Sequence, residues 1–131
     1  MKRILVIDDE DDIREVVQLS LEVSGGWEVF TAASGKEGIE IAKQQRPDVI
    51  LLDVMMPDLD GMETLHRLRS QGETVEIPVI LLTAKVASYI QNDPNYYQLG
   101  VWAILPKLFD PLTFGAKILE ILSQPSTTHS G

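Results

Sequence analysis

Residues 51–61 read LLDVMMPDLDG. Two leucines, a valine and two methionines suit a buried strand, and an aspartate almost never stands among such residues unless something compensates its charge. Asp53 does stand there, at the end of the apolar run DVILLD (48–53). A run that is hydrophobic on both faces belongs to a strand covered from both sides, as in a parallel sheet between helices.

Outward from that strand the same unit recurs. RILVI (3–7) is a short apolar run ending at Asp8, WEVFTA (27–32) alternates as a strand, and IPVILLTA (77–84) and VWAILPK (101–107) are further strands. Between them, DDIREVVQLSLEVSG (11–25) places Ile13, Val16, Val17, Leu21 and Val23 largely at helical spacing and stops at Gly25 and Gly26. SGKEGIEIAKQQRP (34–47) is a helix capped by Ser34, with Glu37 three residues on and Pro47 as its end. DGMETLHRLRS (60–70) brings Met62, Leu65 and Leu68 to one face. KVASYIQNDPNYYQLG (85–100) is expected as a helix that Pro94 kinks or breaks. In DPLTFGAKILEIL (110–122), Asp110 is the expected cap and Pro111 takes the first turn, while Gly115 weakens the helix unless a neighbour must pack close. SQPSTTHSG (123–131) has little to bury. The reading is one domain over residues 1–123 with a disordered tail over 124–131.

Composition bounds the chemistry. At 131 residues the chain is one domain by size, and having no cysteine it excludes disulfides, thiol catalysis and thiolate zinc sites. His66 and His129 are too few and too far apart in the chain for a histidine metal site. A formal net charge of -9 argues against non-specific binding to nucleic acid or anionic membranes, both of which want clustered Lys and Arg. The start MKRILVIDD has too short an apolar core for a signal peptide, and no run reaches a membrane span of about 18 residues. The expected compartment is the cytoplasm.

Five strand–helix units with buried strands make an α/β fold whose ligands bind at the carboxyl ends of the strands. Asp8 and Asp9 follow the first strand, Asp53 ends the third, Thr83 the fourth and Lys107 the fifth. With the first and third strands central, these groups converge on one edge. Three carboxylates close together repel, so a proton or hard cation must join them, and an oxygen-only donor set favours Mg2+ over zinc. A divalent cation facing a lysine suits a phosphoryl group, with Lys107 and Thr83 taking further phosphoryl oxygens. One carboxylate is then free to act as nucleophile, and Asp53, standing opposite the pair, is the better candidate.

These residues carry a resemblance. The segments ILVIDDE, LLDVMMPDLDG, VILLTA and LPKLFDP, in that order over about residues 2–123, resemble the receiver domains of two-component response regulators, in the stand-alone form typified by the bacterial chemotaxis regulator. The resemblance implies a flavodoxin-like (βα)5 three-layer sandwich, its parallel five-stranded sheet ordered 2-1-3-4-5. It further implies Asp53 as phosphoacceptor, Asp9 as a direct Mg2+ ligand, Asp8 acting largely through water, the backbone carbonyl of Met55 as the third protein ligand, and Mn2+ as an acceptable substitute. Thr83 and Lys107 become the switch hydroxyl and the phosphate-facing lysine. The phosphodonor would be a histidine kinase or histidine phosphotransfer protein, and the chemistry would be self-phosphorylation and autodephosphorylation, not turnover of an external substrate. With no second domain expected after residue 123, output would pass through a downstream protein effector, with a phosphorylation-dependent homodimer as a further partner state.

Two positions depart from the family pattern. Leu108 follows Lys107 where proline with a cis bond is usual, and Pro106 precedes it; a cis bond before a non-proline residue costs about 2.5–4 kcal/mol, so energetics favour trans. Ile104 stands where a switching Tyr or Phe is common, and NDPNYY looks like extra length between Thr83 and Lys107. Plainer readings compete. Asp8 and Asp9 could cap a helix and Thr83 could bond backbone, but neither reading accounts for Asp53. His66 is read as solvent-facing, and Tyr89, Tyr96, Tyr97 and Trp102 as ordinary packing before a docking surface. A small phosphatase of similar fold would want a second Asp two residues after the nucleophile, where Met55 stands. A degenerate, phosphorylation-independent receiver is the other alternative, and intact Asp9, Asp53, Thr83 and Lys107 count against it.

Overall fold

The computed structural model describes residues 2–54, 61–83, 100–106 and 110–123. The helix expected over 85–100, with Pro94 and the three tyrosines, lies outside these residues but for Gly100, as do Met55, Lys107, Leu108 and the tail 124–131. The elements run β1 (Lys2–Ile7), α1 (Asp11–Ser24), β2 (Trp27–Ala32), α2 (Gly35–Gln45), β3 (Val49–Asp53), α3 (Gly61–Arg69), β4 (Val79–Thr83), β5 (Val101–Pro106) and α4 (Phe114–Ser123). The strands form one sheet in the order β2-β1-β3-β4-β5, and all its pairings are parallel.

Central strands alternate between two cores, and this makes the three layers. Leu5, Ile7, Ile50, Leu52 and Leu81 meet Ile39 and Ala42 of α2 and Leu65 and Leu68 of α3. Ile4, Val6, Leu51, Ile80 and Leu82 meet Val17 and Leu21 of α1 and Phe114 and Ile118 of α4. Each such aliphatic side chain, fully buried, contributes about 1.5–3 kcal/mol. That burial is why β1, β3 and β4 read as unbroken apolar runs.

Local signals hold where the chemistry is local. The Ser34 hydroxyl accepts from the Glu37 N–H at 3.2 Å, and the Glu37 carboxylate accepts from the Ala33 N–H at 2.8 Å. Met62 is partly buried, Leu65 and Leu68 are buried, and His66 faces solvent. Gly115 packs where expected: a Cβ there would stand 2.6 Å from the Ser24 Cβ and closer still to its hydroxyl, so the Ser24 side chain of α1 meets α4 where α4 carries none. Among the described residues, no helix is long and apolar enough to cross a membrane.

Two expectations need correction, and the register of β5 adds a feature the sequence does not announce. In α1, Val16 and Val23 are 37% and 67% exposed, and buried Ser20 takes a place on the inner face, its hydroxyl donating to the Val16 carbonyl at 2.7 Å. At about 100° per residue, Val17, Ser20, Leu21 and Ser24 share one stripe and Val16 and Val23 fall beside it. The last helix begins at Phe114, not at Asp110, and continues through Ser123. The Asp110 carboxylate accepts the Leu112 N–H at 2.9 Å, closing a separate turn first, because a short acidic side chain competes with helix hydrogen bonding. In β5, Val79 pairs with Val101 but Ile80 pairs with Ala103, a bulge at Trp102. Ile104 therefore joins the α2–α3 core while half-buried Trp102 packs against the other.

Candidate functional site

The parallel register brings the strand ends together. Ile7 pairs with Leu52, so Asp8 and Asp53 follow side by side at the carboxyl edge, while Asp53 pairs with Leu82, one residue before Thr83. Asp8, Asp53 and Thr83 are all fully buried. By the alternation of their strands, Asp8 and Asp53 continue the α1–α4 face. Thr83 continues the other face, on which Ile104 lies, and pairs with Pro106, two residues beyond it. The structure thus places Asp8, Asp53 and Thr83 at one edge of the sheet, with Ile104 on the face of Thr83, two residues short of that edge. Asp9 joins them on the adjoining turn. Lys107 and Met55 are outside the described residues.

The turn after β1 is tightly specified. The Asp8 N–H donates to the Ala32 carbonyl at 3.1 Å, and its Oδ1 accepts from the Glu10 N–H at 2.9 Å. Asp8, Asp9 and Glu10 each offer a carboxylate oxygen, and these atoms lie within 4.8 Å of one another, Asp8 buried and the other two exposed. Glu10 is the member of this cluster that the sequence reading does not name. It occupies the N-cap of α1 without a side-chain capping bond, and its carboxylate turns to the cluster instead. The third acid in the run Asp8-Asp9-Glu10 is the signal that could have found it.

A metal fits this donor set. All donors are oxygen, the chain has no cysteine, and two fully buried carboxylates at one edge require a compensating charge. Hard divalent cations of the Mg2+ and Mn2+ type match such donors. By contrast, an open groove of about 500 Å3 lined by Pro47, Asp48, Glu73, Glu76 and Ile77 lies at the opposite end of the sheet. Its Asp48 carboxylate already accepts the Arg3 N–H at 2.7 Å, a structural role.

Behind Asp53 the chain returns closely on itself. The Gly61 N–H donates to the Val54 carbonyl at 3.1 Å, and the Val54 N–H donates to the Leu82 carbonyl at 3.1 Å. A Cβ on Gly61 would stand 2.7 Å from the Asp53 carbonyl oxygen and 2.7 Å from the Val54 Cα. The glycine of LLDVMMPDLDG therefore lets α3 start directly against the backbone that carries Asp53.

Known proteins are similar to this chain. A family model described as the response regulator receiver domain matches residues 4–119. The chain is 39% identical over 121 residues to the alkaline phosphatase synthesis transcriptional regulatory protein PhoP of Bacillus subtilis, covering 92% of this chain and 48% of that protein. It is 49% identical over 84 residues to the probable transcriptional regulatory protein TcrX of Mycobacterium tuberculosis, covering 64% of this chain and 35% of that protein. The chain spans about half, or less, of the length of these curated relatives. Among solved structures, the chemotaxis response regulator CheY4 of Vibrio cholerae superposes with a TM-score of 0.81 at 31% identity, over 92% of this chain and 98% of that one. The N-terminal domain of a response regulator receiver protein from Methanoculleus marisnigri gives 0.74 at 34% identity, over 95% and 99%. With sheet order, acid cluster and family model in agreement over nearly all of the described chain, this protein belongs to the response regulator receiver domain family.

Proposed function

We propose that Asp53 accepts a phosphoryl group from a histidine kinase or histidine phosphotransfer protein and that its phosphorylation switches binding of a downstream protein effector. One observation carries the reading: Asp53 is a fully buried carboxylate at the end of β3, in register beside Asp8 and its acid cluster. A carboxylate held there has little reason to be kept for stability alone. In the transfer, an Asp53 oxygen bonds to phosphorus, the phosphorus–nitrogen bond of the donor phosphohistidine breaks, and the imidazole leaves with a proton from solvent. Asp8, Asp9, Asp53 and the Met55 carbonyl, with Glu10 beside them, would hold Mg2+ or Mn2+, which when bound neutralises charge on the phosphoryl oxygens. Thr83 and Lys107 would take the remaining oxygens.

Phosphoaspartate adds about two negative charges and three acceptor oxygens. Thr83 is drawn toward them, and because Thr83 and Ile104 share a face, the change passes to β5. Ile104 is β-branched and already 7% exposed, so the readout is a small repacking carried by the segment after Thr83 and by residues 105–110, not the swing of a ring. Pairing with a second phosphorylated copy is a further part of this reading.

The test is intact mass after incubation with Mg2+ and acetyl phosphate. The wild type should gain one phosphoryl group that base removes, and Asp53→Asn should gain none. An adduct that persists in Asp53→Asn removes Asp53 from the role.

A further inference from the structure

α1 begins with an electrostatic contradiction. Arg14 lies in its first turns, where the helix dipole disfavours a cation, yet its side chain is only 18% exposed. Helix stability therefore does not account for it. Its two terminal nitrogens are divided: Nη1 donates to the backbone carbonyl of Asp8 at 2.6 Å, and Nη2 pairs with the Asp11 carboxylate. The forked guanidinium can serve both acceptors at once, which a lysine ammonium on a flexible stem cannot do with the same fixed geometry.

We propose that Arg14 is a positioning residue for the metal site: by holding the Asp8 carbonyl it fixes the turn on which Asp9 and Glu10 present their carboxylates. This rests on the reading of Asp8, Asp9 and Glu10 as the metal-binding cluster. Bonds that hold the turn at Asp8 include its N–H to Ala32, its carboxylate to the Glu10 N–H, and its carbonyl to Arg14. The first two are backbone or near-neighbour contacts. The third comes from the fourth residue of α1 and, beside the backbone bond from the Arg14 N–H to the Glu10 carbonyl, ties the helix to the turn through a side chain.

The sign of the effect separates this role from simple electrostatics. A bare cation beside the cluster would repel Mg2+, and removing it would tighten metal binding. Here Asp11 pairs with the guanidinium and cancels most of its distant field, so the geometric contribution dominates. Loss of Arg14 frees the Asp8 carbonyl, lets Asp9 and Glu10 spread, and weakens metal binding.

The experiment is calorimetric titration of the protein with Mg2+ alone, without phosphodonor, for wild type, Arg14→Ala, Arg14→Lys and the control Arg67→Ala, whose arginine is an exposed partner of Glu63 on α3. Arg14→Ala should bind Mg2+ about tenfold more weakly, the low end of what loss of a residue supporting the ligands costs. Arg14→Lys should recover part of that loss, and Arg67→Ala should match wild type. At saturating Mg2+, labelling of Arg14→Ala by acetyl phosphate should return toward the wild-type rate, a split that general damage to the fold would not produce. Unchanged or tighter Mg2+ binding in Arg14→Ala overturns the proposal while leaving the metal cluster standing. If Arg14→Ala does not fold, full wild-type affinity in Arg14→Lys overturns it equally. A wild type that binds no Mg2+ removes the cluster reading and this proposal together.

Discussion

Gly61→Ala tests whether the close return of the chain behind Asp53 holds the phosphoacceptor in place. The added Cβ would sit 2.7 Å from the Asp53 carbonyl oxygen, 2.7 Å from the Val54 Cα and 3.0 Å from the Val54 carbonyl oxygen. Carbon atoms in ordinary contact stand about 3.5–4.0 Å apart, so the overlap with the Cα is about 0.8 Å or more. All three atoms are backbone, and that backbone is tied into the sheet by the bond from Val54 to Leu82, so no rotamer change relieves the clash. Overpacking of this kind costs about 1–3 kcal/mol, against which alanine gains at most about 0.5–1 kcal/mol over glycine in a helix. A net loss of about 1–2 kcal/mol follows. With an unfolding entropy of about 2.1 cal/mol/K per residue, this 131-residue chain should melt about 4–7 °C lower.

The second consequence is functional. Relief requires α3 or the Asp53–Val54 backbone to move by a large fraction of an ångström, and a misplacement of about 1 Å at a reacting group costs about a hundredfold in rate. Labelling by acetyl phosphate in saturating Mg2+ should fall by about ten- to a hundredfold in protein that is still folded by circular dichroism. Gly72→Ala is the control, since a Cβ there meets nothing within 4 Å, and it should change stability by less than about 0.5 kcal/mol. Gly61→Ala melting with the wild type and labelling at its rate would refute the reasoning.

Three other outcomes are expected. Mg2+ at about a hundredfold excess over its Kd should stabilise the wild type by about 2.7 kcal/mol, raising Tm by about 10 °C near neutral pH, with a smaller rise in Asp9→Ala; a wild-type Tm indifferent to Mg2+ would remove the metal site. Gly115→Ala should lose about 1–3 kcal/mol in urea unfolding, and Ser24→Gly in the same chain should restore part of it, because the obstructing atoms belong to Ser24; strict additivity would break that account. In crystals with beryllofluoride on Asp53, Ile104 should stay buried while Thr83 shifts, and an Ile104 side chain swung into solvent would contradict the small-repacking readout.

Much of this molecule is legible one segment at a time. The unbroken apolar runs of β3 and β4 identify strands covered on both faces, because no half-exposed strand tolerates leucine at consecutive positions. The Ser34 cap and Glu37 mark the start of α2 because both partners of those bonds lie within four residues. Asp53 announced itself by being a carboxylate in a place only a compensated carboxylate can occupy. Its neighbours Asp8 and Thr83 followed from the rule that parallel strands end at one edge.

What tertiary structure decided involves partners distant in the chain. Whether Val16 or Ser20 faces inward depends on where α4 and β2 sit against α1, and two overlapping stripes of one helix offer both answers. The bulge at Trp102 exists only in the register between β4 and β5, and it alone puts Ile104 on the same face as Thr83. By sequence alone Asp110 reads as a helix cap, because turn and cap place the same demand on that carboxylate; the position of Phe114 in the core settles where α4 begins. Gly61 and Arg14 carry no signal of their own, since a glycine after an aspartate reads as a turn and an arginine among acids reads as a surface charge. Their roles come from the backbone of β3 behind one and the carbonyl of Asp8 beneath the other, contacts that arise only when the strand ends are assembled.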